Sequence, residues 1–310
     1  VALLISYHDR DTAPWVEAFR AELPQMDIRV YPDVGNPAEI EYAALWQHPQ
    51  GDLQNYPNLK AILSFGAGVE HIVSDPLLPK AVPVVRLVDG AVVQDMALHA
   101  LHWVLHFHRG YHQYARQQRQ GQWQPRPAIS PARRRIGIMG MGQIGQALAK
   151  LLHGLGFVVT GWGIDPTDVA QGIGYRCGSH ELEAFLAETD ILINALPLTP
   201  ATAGLIGEAE LARLPNGAFV ISESRGGIID ETALLTALQR DHLDAAALDV
   251  FAVEPLPQHS ALWTSPDVFV TPHIGGINYP ETAAVVMAEN IRRVQRGEAP
   301  TPLYDALKGY

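Results

Sequence analysis

The stretch Arg135-Ile136-Gly137-Ile138-Met139-Gly140-Met141-Gly142-Gln143-Ile144-Gly145 constrains the fold of this chain more than any other. It reads as a short apolar strand that breaks into Gly-x-Gly-x-x-Gly and then enters a helix. A strand ending in that pattern is a dinucleotide-binding turn. Gly140 permits the tight turn. Gly142 lacks a Cβ, so a pyrophosphate can approach the backbone. Gly145 lets helix and strand pack closely, and the helix N-terminus, with Gln143 and Ile144, offers free N–H groups to phosphates. The turn starts near residue 136, so another unit is built before it.

Composition sets the frame. The 310 residues suffice for two domains, and 47% hydrophobic with 18% charged residues describes a globular chain. The net charge of −11 argues against a general nucleic-acid or anionic-membrane binder. It does not exclude an anionic substrate, because a few local Arg side chains outweigh the global field at contact distance. Cys177 is the only cysteine, so no intramolecular disulfide forms, which suits a reducing cytoplasm. No apolar run is long enough to span a bilayer. The first residues, Val1-Ala2-Leu3-Leu4-Ile5, lack the length and basic flank of a signal segment and read as a buried strand; the missing Met suggests a trimmed or incomplete start.

Strand and helix alternate throughout, which predicts an α/β protein. Residues 1–6, 27–31, 42–45, 61–64 and 84–86 read as strands and 12–22 as a helix. A long helical segment spans roughly 94–120. The second unit has six predicted strands, at 136–139, 158–162, 191–194, 218–222, 245–249 and 268–271. Helices at 143–155, 182–188, 208–213 and 231–241 lie between them. Six strands with helical crossovers make a doubly wound parallel sheet. A last helix, 281–296, is placed back on the first unit. The expectation is two Rossmann-like domains, 1–96 plus 283–310 and 97–282. The chain crosses between them twice, with a ligand cleft between them.

An acid about 20 residues beyond the glycines would hold the adenosine ribose and disfavour a 2′-phosphate. Asp165 lies 20 residues after Gly145, and residues 160–175 contain no Arg or Lys. This leans the reading to NAD over NADP. Asp165 also reads as an ordinary Asp-Pro turn initiator before Pro166.

Three late strand ends carry chemistry: Arg225 in Ser224-Arg225-Gly226-Gly227, Glu254 in Val253-Glu254-Pro255, and His273 in Pro272-His273-Ile274. Ligands of doubly wound sheets bind at strand carboxyl ends, so these residues can converge. Arg offers a permanent charged fork to a carboxylate or carbonyl oxygen. His supplies a proton near neutrality, and a carboxylate orients it. Bland alternatives remain: a sheet-end salt bridge for Arg225, a structural histidine after proline for His273, a turn carboxylate for Glu254.

With these residues in place the chain resembles the D-isomer-specific 2-hydroxyacid dehydrogenases, most closely the glyoxylate/hydroxypyruvate reductase branch. The resemblance runs over nearly the whole chain, to Gly309-Tyr310. It is carried by Leu63-Ser64-Phe65-Gly66-Ala67-Gly68-Val69, the glycine turn, Leu196-Pro197-Leu198-Thr199-Pro200-Ala201-Thr202, Ser224-Arg225-Gly226-Gly227, Leu248-Asp249-Val250-Phe251 and Thr271-Pro272-His273-Ile274-Gly275-Gly276. It implies NAD(P)H-dependent reduction of a small 2-oxoacid to the 2-hydroxyacid. Arg225 would grip the substrate, His273 would be the acid/base and Glu254 its partner. Backbone N–H groups of Ala67, Gly68 and Val69 would hold the substrate carboxylate. Trp46 would line the pocket, although a core or interface Trp reads as well. Asp249 would hold the nicotinamide carboxamide, although a loop cap reads as well. Leu196, Pro197, Thr202 and Gly275 would border the cofactor.

The chain departs from that pattern at three places. Gly163-Ile164-Asp165 replaces a Ser-Arg-Thr type segment suited to NADP. Asn278 replaces a common Thr. Glu223 replaces a small or apolar residue, and its charge would weaken the pocket's pull on anions if it points inward.

His99, His102 and His106 share one helical face, with His108 and His112 a further i, i+4 pair. They lack carboxylate or thiolate partners at metal-ligand spacing, so no metal is assigned. The segment reads as a packed helix at a subunit interface, and the resemblance implies a homodimer. The rival readings are a relative acting on phosphoglycerate, formate or phosphite, and a non-enzymatic protein that senses cofactor and binds partners.

Overall fold

The computed structural model describes residues 1–7, 11–306 and 309; Tyr310 lies outside them. It divides into two compact units, residues 1–92 with 278–310, and residues 93–277.

The first unit is built from β1 (Ala2–Tyr7), α1 (Ala13–Glu22), β2 (Asp27–Val30), β3 (Ile40–Trp46), β4 (Ala61–Ser64), α2 (Glu70–Val73) and β5 (Val84–Val85). Val85 of β5 adds an isolated antiparallel bridge to Leu303, and the five strands pair in parallel in the order β2-β1-β3-β4-β5. This is one of the two common doubly wound orders. Alternate residues of β1 serve opposite faces: Leu3 and Ile5 enter one apolar cluster, Ala2 and Leu4 the other. A sheet buried on both faces needs such continuous apolar runs, which is why the strands read as unbroken hydrophobic segments.

Helix α3 (Gly90–His108) leads into the second unit. The expected single helix of 94–120 is two. Gly110 adopts φ +67°, a left-handed conformation that ends the first helix and starts α4 (Tyr111–Arg119). The sheet elements follow as β6 (Arg135–Met139), α5 (Gln143–Gly154), β7 (Val158–Gly163), β8 (Gly174–Cys177), α6 (Ser179–Ala187), β9 (Ile191–Asn194), α7 (Glu208–Leu211), β10 (Ala218–Ser222), α8 (Glu231–Gln239), β11 (Leu243–Leu248) and β12 (Val268–Val270). The order is β12-β11-β10-β9-β6-β7-β8, all parallel. There are seven strands, not six. The extra one, β8, is a short half-exposed edge strand with Tyr175 and Arg176, so no apolar run announces it.

The sheet again alternates. Ile136, Ile138, Ile191, Ile193, Phe219 and Ile221 pack on one face, and Met139, Leu192 and Val220 on the other. Helix α9 (Pro280–Gln295) returns to the first unit as expected. Its Ala283, Ala284, Met287 and Ile291 are buried with Trp15 and Phe19 of α1.

Candidate active site

The strand order of the second unit reverses between β6 and β9, where doubly wound sheets bind dinucleotides. The glycines fit that use. A Cβ on Gly140 would stand 2.6 Å from the Ala195 carbonyl oxygen, so the turn presses against the backbone leading to Leu196 and Pro197. A Cβ on Gly145 would fall 1.9 Å from the Gly140 oxygen, which forces glycine where helix meets turn. Around Gly142 there is open space. No side chain caps α5, and Gln143 is exposed at its first turn. An uncapped helix start beside an open glycine is what a pyrophosphate requires.

At the adenosine end, Asp165 is exposed just past β7, and its carbonyl accepts a hydrogen bond from Tyr175 Oη at 2.5 Å. Arg176 is ion-paired with Glu188 at 2.6 Å and lies 3.7 Å from Glu181. Thr202 has a loop-holding role. Its buried hydroxyl donates to the Pro197 carbonyl at 2.6 Å and accepts from the Thr199 N–H at 2.8 Å, closing the loop that follows β9.

β10, β11 and β12 are neighbours, so their carboxyl ends bring Arg225, Glu254 and His273 to one edge of the sheet. His273 Nδ1 lies 2.7 Å from Glu254 Oε2, while Glu254 Oε1 accepts the Phe251 N–H at 2.9 Å. The carboxylate is thus held at both oxygens. It fixes the imidazole with Nδ1 turned inward and leaves Nε2 for a substrate. His273 itself sits at φ +54°, a conformation that a non-glycine residue keeps only where its surroundings impose it.

Those surroundings are Asp249. Its Oδ1 accepts from Thr271 Oγ1 at 2.6 Å and from Ile274 N–H at 2.9 Å, its Oδ2 from Gly275 N–H at 2.8 Å, and its carbonyl from His273 N–H at 2.9 Å. Asp249 and Gly275 are buried, and the observed role of the Asp249 carboxylate is to anchor the His273 loop. Arg225 donates to the Ser224 carbonyl at 2.8 Å, which folds the guanidinium back over its own turn.

Glu223 does not point to solvent. Its side chain is buried within the unit, 3.3 Å from His99 Nδ1. The pairing was invisible in the sequence because 124 positions separate the two residues. His99 therefore faces the interior of its own unit. Among the described residues no cluster of three or more His, Cys, Asp or Glu side chains is arranged to hold a metal.

In the first unit, Trp46 ends β3 and packs on Gly66, whose added Cβ would lie 2.7 Å from its ring. The next residues form a loop, Ala67 to Val69, whose carbonyls are held from behind. Arg86 Nε donates to the Ala67 carbonyl at 2.9 Å and Ser64 Oγ to the Gly68 carbonyl at 3.1 Å. A trans peptide points its N–H opposite its C=O, so the Gly68 and Val69 amides face away from those partners. Trp46 borders this loop and also meets His71, ring centroids 4.3 Å apart.

A glycine turn at a sheet switch point, with an Arg, His and Glu at adjacent strand ends, defines a nicotinamide-dependent oxidoreductase of the doubly wound class. The comparisons with known proteins agree. The model of the D-isomer specific 2-hydroxyacid dehydrogenase, NAD binding domain, matches residues 101–275. A glyoxylate/hydroxypyruvate reductase A of Serratia proteamaculans is 36% identical over 99% of both chains. A D-isomer specific 2-hydroxyacid dehydrogenase of Xanthobacter autotrophicus, solved with NADPH and MES, is 39% identical with a TM-score of 0.96 over 100% of this chain and 99% of that one. An NADPH-dependent glyoxylate/hydroxypyruvate reductase of Sinorhizobium meliloti, solved with NADP and sulfate, is 31% identical with a TM-score of 0.93 over all of both chains. The chain belongs to the D-isomer specific 2-hydroxyacid dehydrogenase family.

Proposed function

We propose that this protein reduces a small 2-oxoacid of the glyoxylate and hydroxypyruvate type to the 2-hydroxyacid. The observation that carries the reading is the Glu254–His273 pair, held on the strand end next to that of Arg225 in a sheet with a dinucleotide turn. Gly140, Gly142 and Gly145 with the start of α5 hold the cofactor's pyrophosphate, and Leu196 and Pro197 border it. The nicotinamide, when bound, supplies the hydride. Arg225 pairs with the oxoacid and stabilises negative charge developing on its keto oxygen. His273 donates a proton from Nε2 to that oxygen, and Glu254 keeps the ring oriented and favours its charged form. The amides of Ala67, Gly68 and Val69 receive the substrate carboxylate, with Trp46 beside them.

NADPH is the cofactor of this reading, in line with the Xanthobacter and Sinorhizobium relatives. One observation favours NADH instead: residues 163–175 carry no Arg or Lys, and Arg176 is tied to two glutamates. The reading includes a homodimer, tested by light scattering, and a reducing compartment, which the single Cys177 supports.

The test follows reduced-cofactor absorbance with NADPH and NADH in parallel against glyoxylate and hydroxypyruvate. Turnover of either acid supports the reading, and the ratio of kcat/KM between cofactors settles the preference. Tight cofactor binding without turnover of either acid overturns it.

A further inference from the structure

Glu223 stands two residues before Arg225, yet it belongs to an interior network. Its side chain is inaccessible to solvent, and Oε1 is buried without a hydrogen-bond partner among the described residues. Oε2 reaches His99 Nδ1. The other ring nitrogen, Nε2, lies 3.3 Å from Trp103 Nε1, 3.5 Å from Thr271 Oγ1 and 4.0 Å from Asp249 Oδ1. Asp249 in turn anchors the His273 loop. A continuous path within one compact unit therefore joins Glu223 to the catalytic histidine's backbone.

We propose that Glu223 and His99 are a positioning pair: the Glu223 carboxylate holds the His99 ring in its charged form, and that charge sets how firmly Asp249 holds the loop carrying His273. The kinetic part of the proposal rests on the reductase reading above.

The chemistry follows from burial. Burial pushes the Glu223 carboxyl up to about 7, against the pull of His99. For His99, burial works against the charged ring. The hydrogen bond to Glu223 and the nearby carboxylates of Asp249, Glu223 and Asp95 outweigh it, so its pKa is raised. The other charged groups acting on the pair are Asp95, on the same helix as His99, and Asp249, beyond β11. The two sites titrate as a unit. With His99 charged, Nδ1–H donates to Glu223, Nε2–H faces Thr271 and Asp249, and the Trp103 N–H loses its acceptor, placing a cation beside the anchoring carboxylate. With His99 neutral, Nε2 accepts from Trp103 and the cation is gone. The left-handed backbone of His273 depends on its surroundings, so a weaker anchor misplaces the imidazole.

The test compares wild type with Glu223→Gln, which keeps the shape and removes the charge. Ring nitrogen NMR of His99, assigned with His99→Gln, should show the imidazole protonating at lower pH in the variant. Amide protection of Ile274 and Gly275, read without substrate, should fall in the variant near neutral pH. It should converge with wild type at acid pH, where His99 is charged in both. With a 2-oxoacid, kcat should drop on the order of tenfold in the same pH window, with substrate KM changed less than about twofold. His99→Gln should lose the same protection without the pH dependence. Unchanged His99 titration, or a protection loss that is equal at every pH, would overturn the proposal. If neither acid turns over while the NMR and protection behave as described, the reductase reading fails and the positioning pair stands.

Discussion

Gly226 meets Phe251 so closely that an added Cβ would stand 1.9 Å from both the carbonyl carbon and the oxygen of Phe251. The turn carrying Arg225 is thereby pressed against the loop that leads to Glu254. Because the opposing atoms are backbone, no rotamer change relieves the clash. Gly226→Ala should force the two strand ends apart and lower stability by about 2 kcal/mol or more. Calorimetry and turnover should fall together. A Gly226→Ala protein with wild-type melting and wild-type kcat would mean that this contact does not set the site.

The Glu254–His273 hydrogen bond makes a graded prediction. His273→Asn removes the proton donor and should lower kcat by roughly 10²- to 10⁴-fold. Glu254→Gln keeps a hydrogen-bond acceptor and loses only the charge, so its loss should be smaller. Cofactor affinity, measured by fluorescence titration, should be unchanged in both, since neither residue belongs to the glycine turn. Near-full turnover by His273→Asn would remove the imidazole from the proton step.

The glycine turn, the strand ends and the Arg-His-Glu set were legible because each is local: an apolar run of alternating faces followed by glycine or proline. What escaped was non-local or polar. β8 lacks an apolar run because it is an edge strand. The break at Gly110 turns on one left-handed residue inside a helix-favouring segment. The direction of Glu223 depends on His99, which no spacing rule connects to it. Thr202 reads as a ligand contact in sequence, and its loop-closing hydrogen bond was not legible there. The His273 loop was readable as chemistry and Asp249 as a possible loop cap, but not that the loop it caps is the one carrying His273.

Cofactor choice can be moved at one exposed position. Ile164 follows β7 and is exposed, as is Asp165 beside it. Ile164→Arg would place a guanidinium near the adenosine ribose, where it can pair with a 2′-phosphate. Because the site is surface-exposed, the cost in stability should be small. The kcat/KM ratio of NADPH over NADH should rise about tenfold, a gain expected of one charge-assisted contact. An unchanged ratio would place the adenosine away from residues 163–165.

The aromatic patch around His106 predicts an acid-sensitive second unit. The ring packs among Trp103, Phe107 and Phe269, and its Nε2 is buried without a hydrogen-bond partner among the described residues. Burial lowers its pKa to about 4, with His112 and His102 adding to the effect. In the unfolded chain the same ring protonates near its ordinary 6.5. As pH falls below that value the unfolded state takes up a proton that the folded state refuses. Stability should therefore decline between about pH 6.5 and 4, then level off for this group. The loss should be on the order of 2 kcal/mol. His106→Phe keeps the ring packing and deletes the titration, so denaturant midpoints at pH 7 and pH 4.5 should lie closer together than in wild type. An identical acid loss in wild type and His106→Phe would assign the sensitivity to other groups. Asp244, whose carboxyl is held below its usual range chiefly by the His112 hydrogen bond, would be the next to replace.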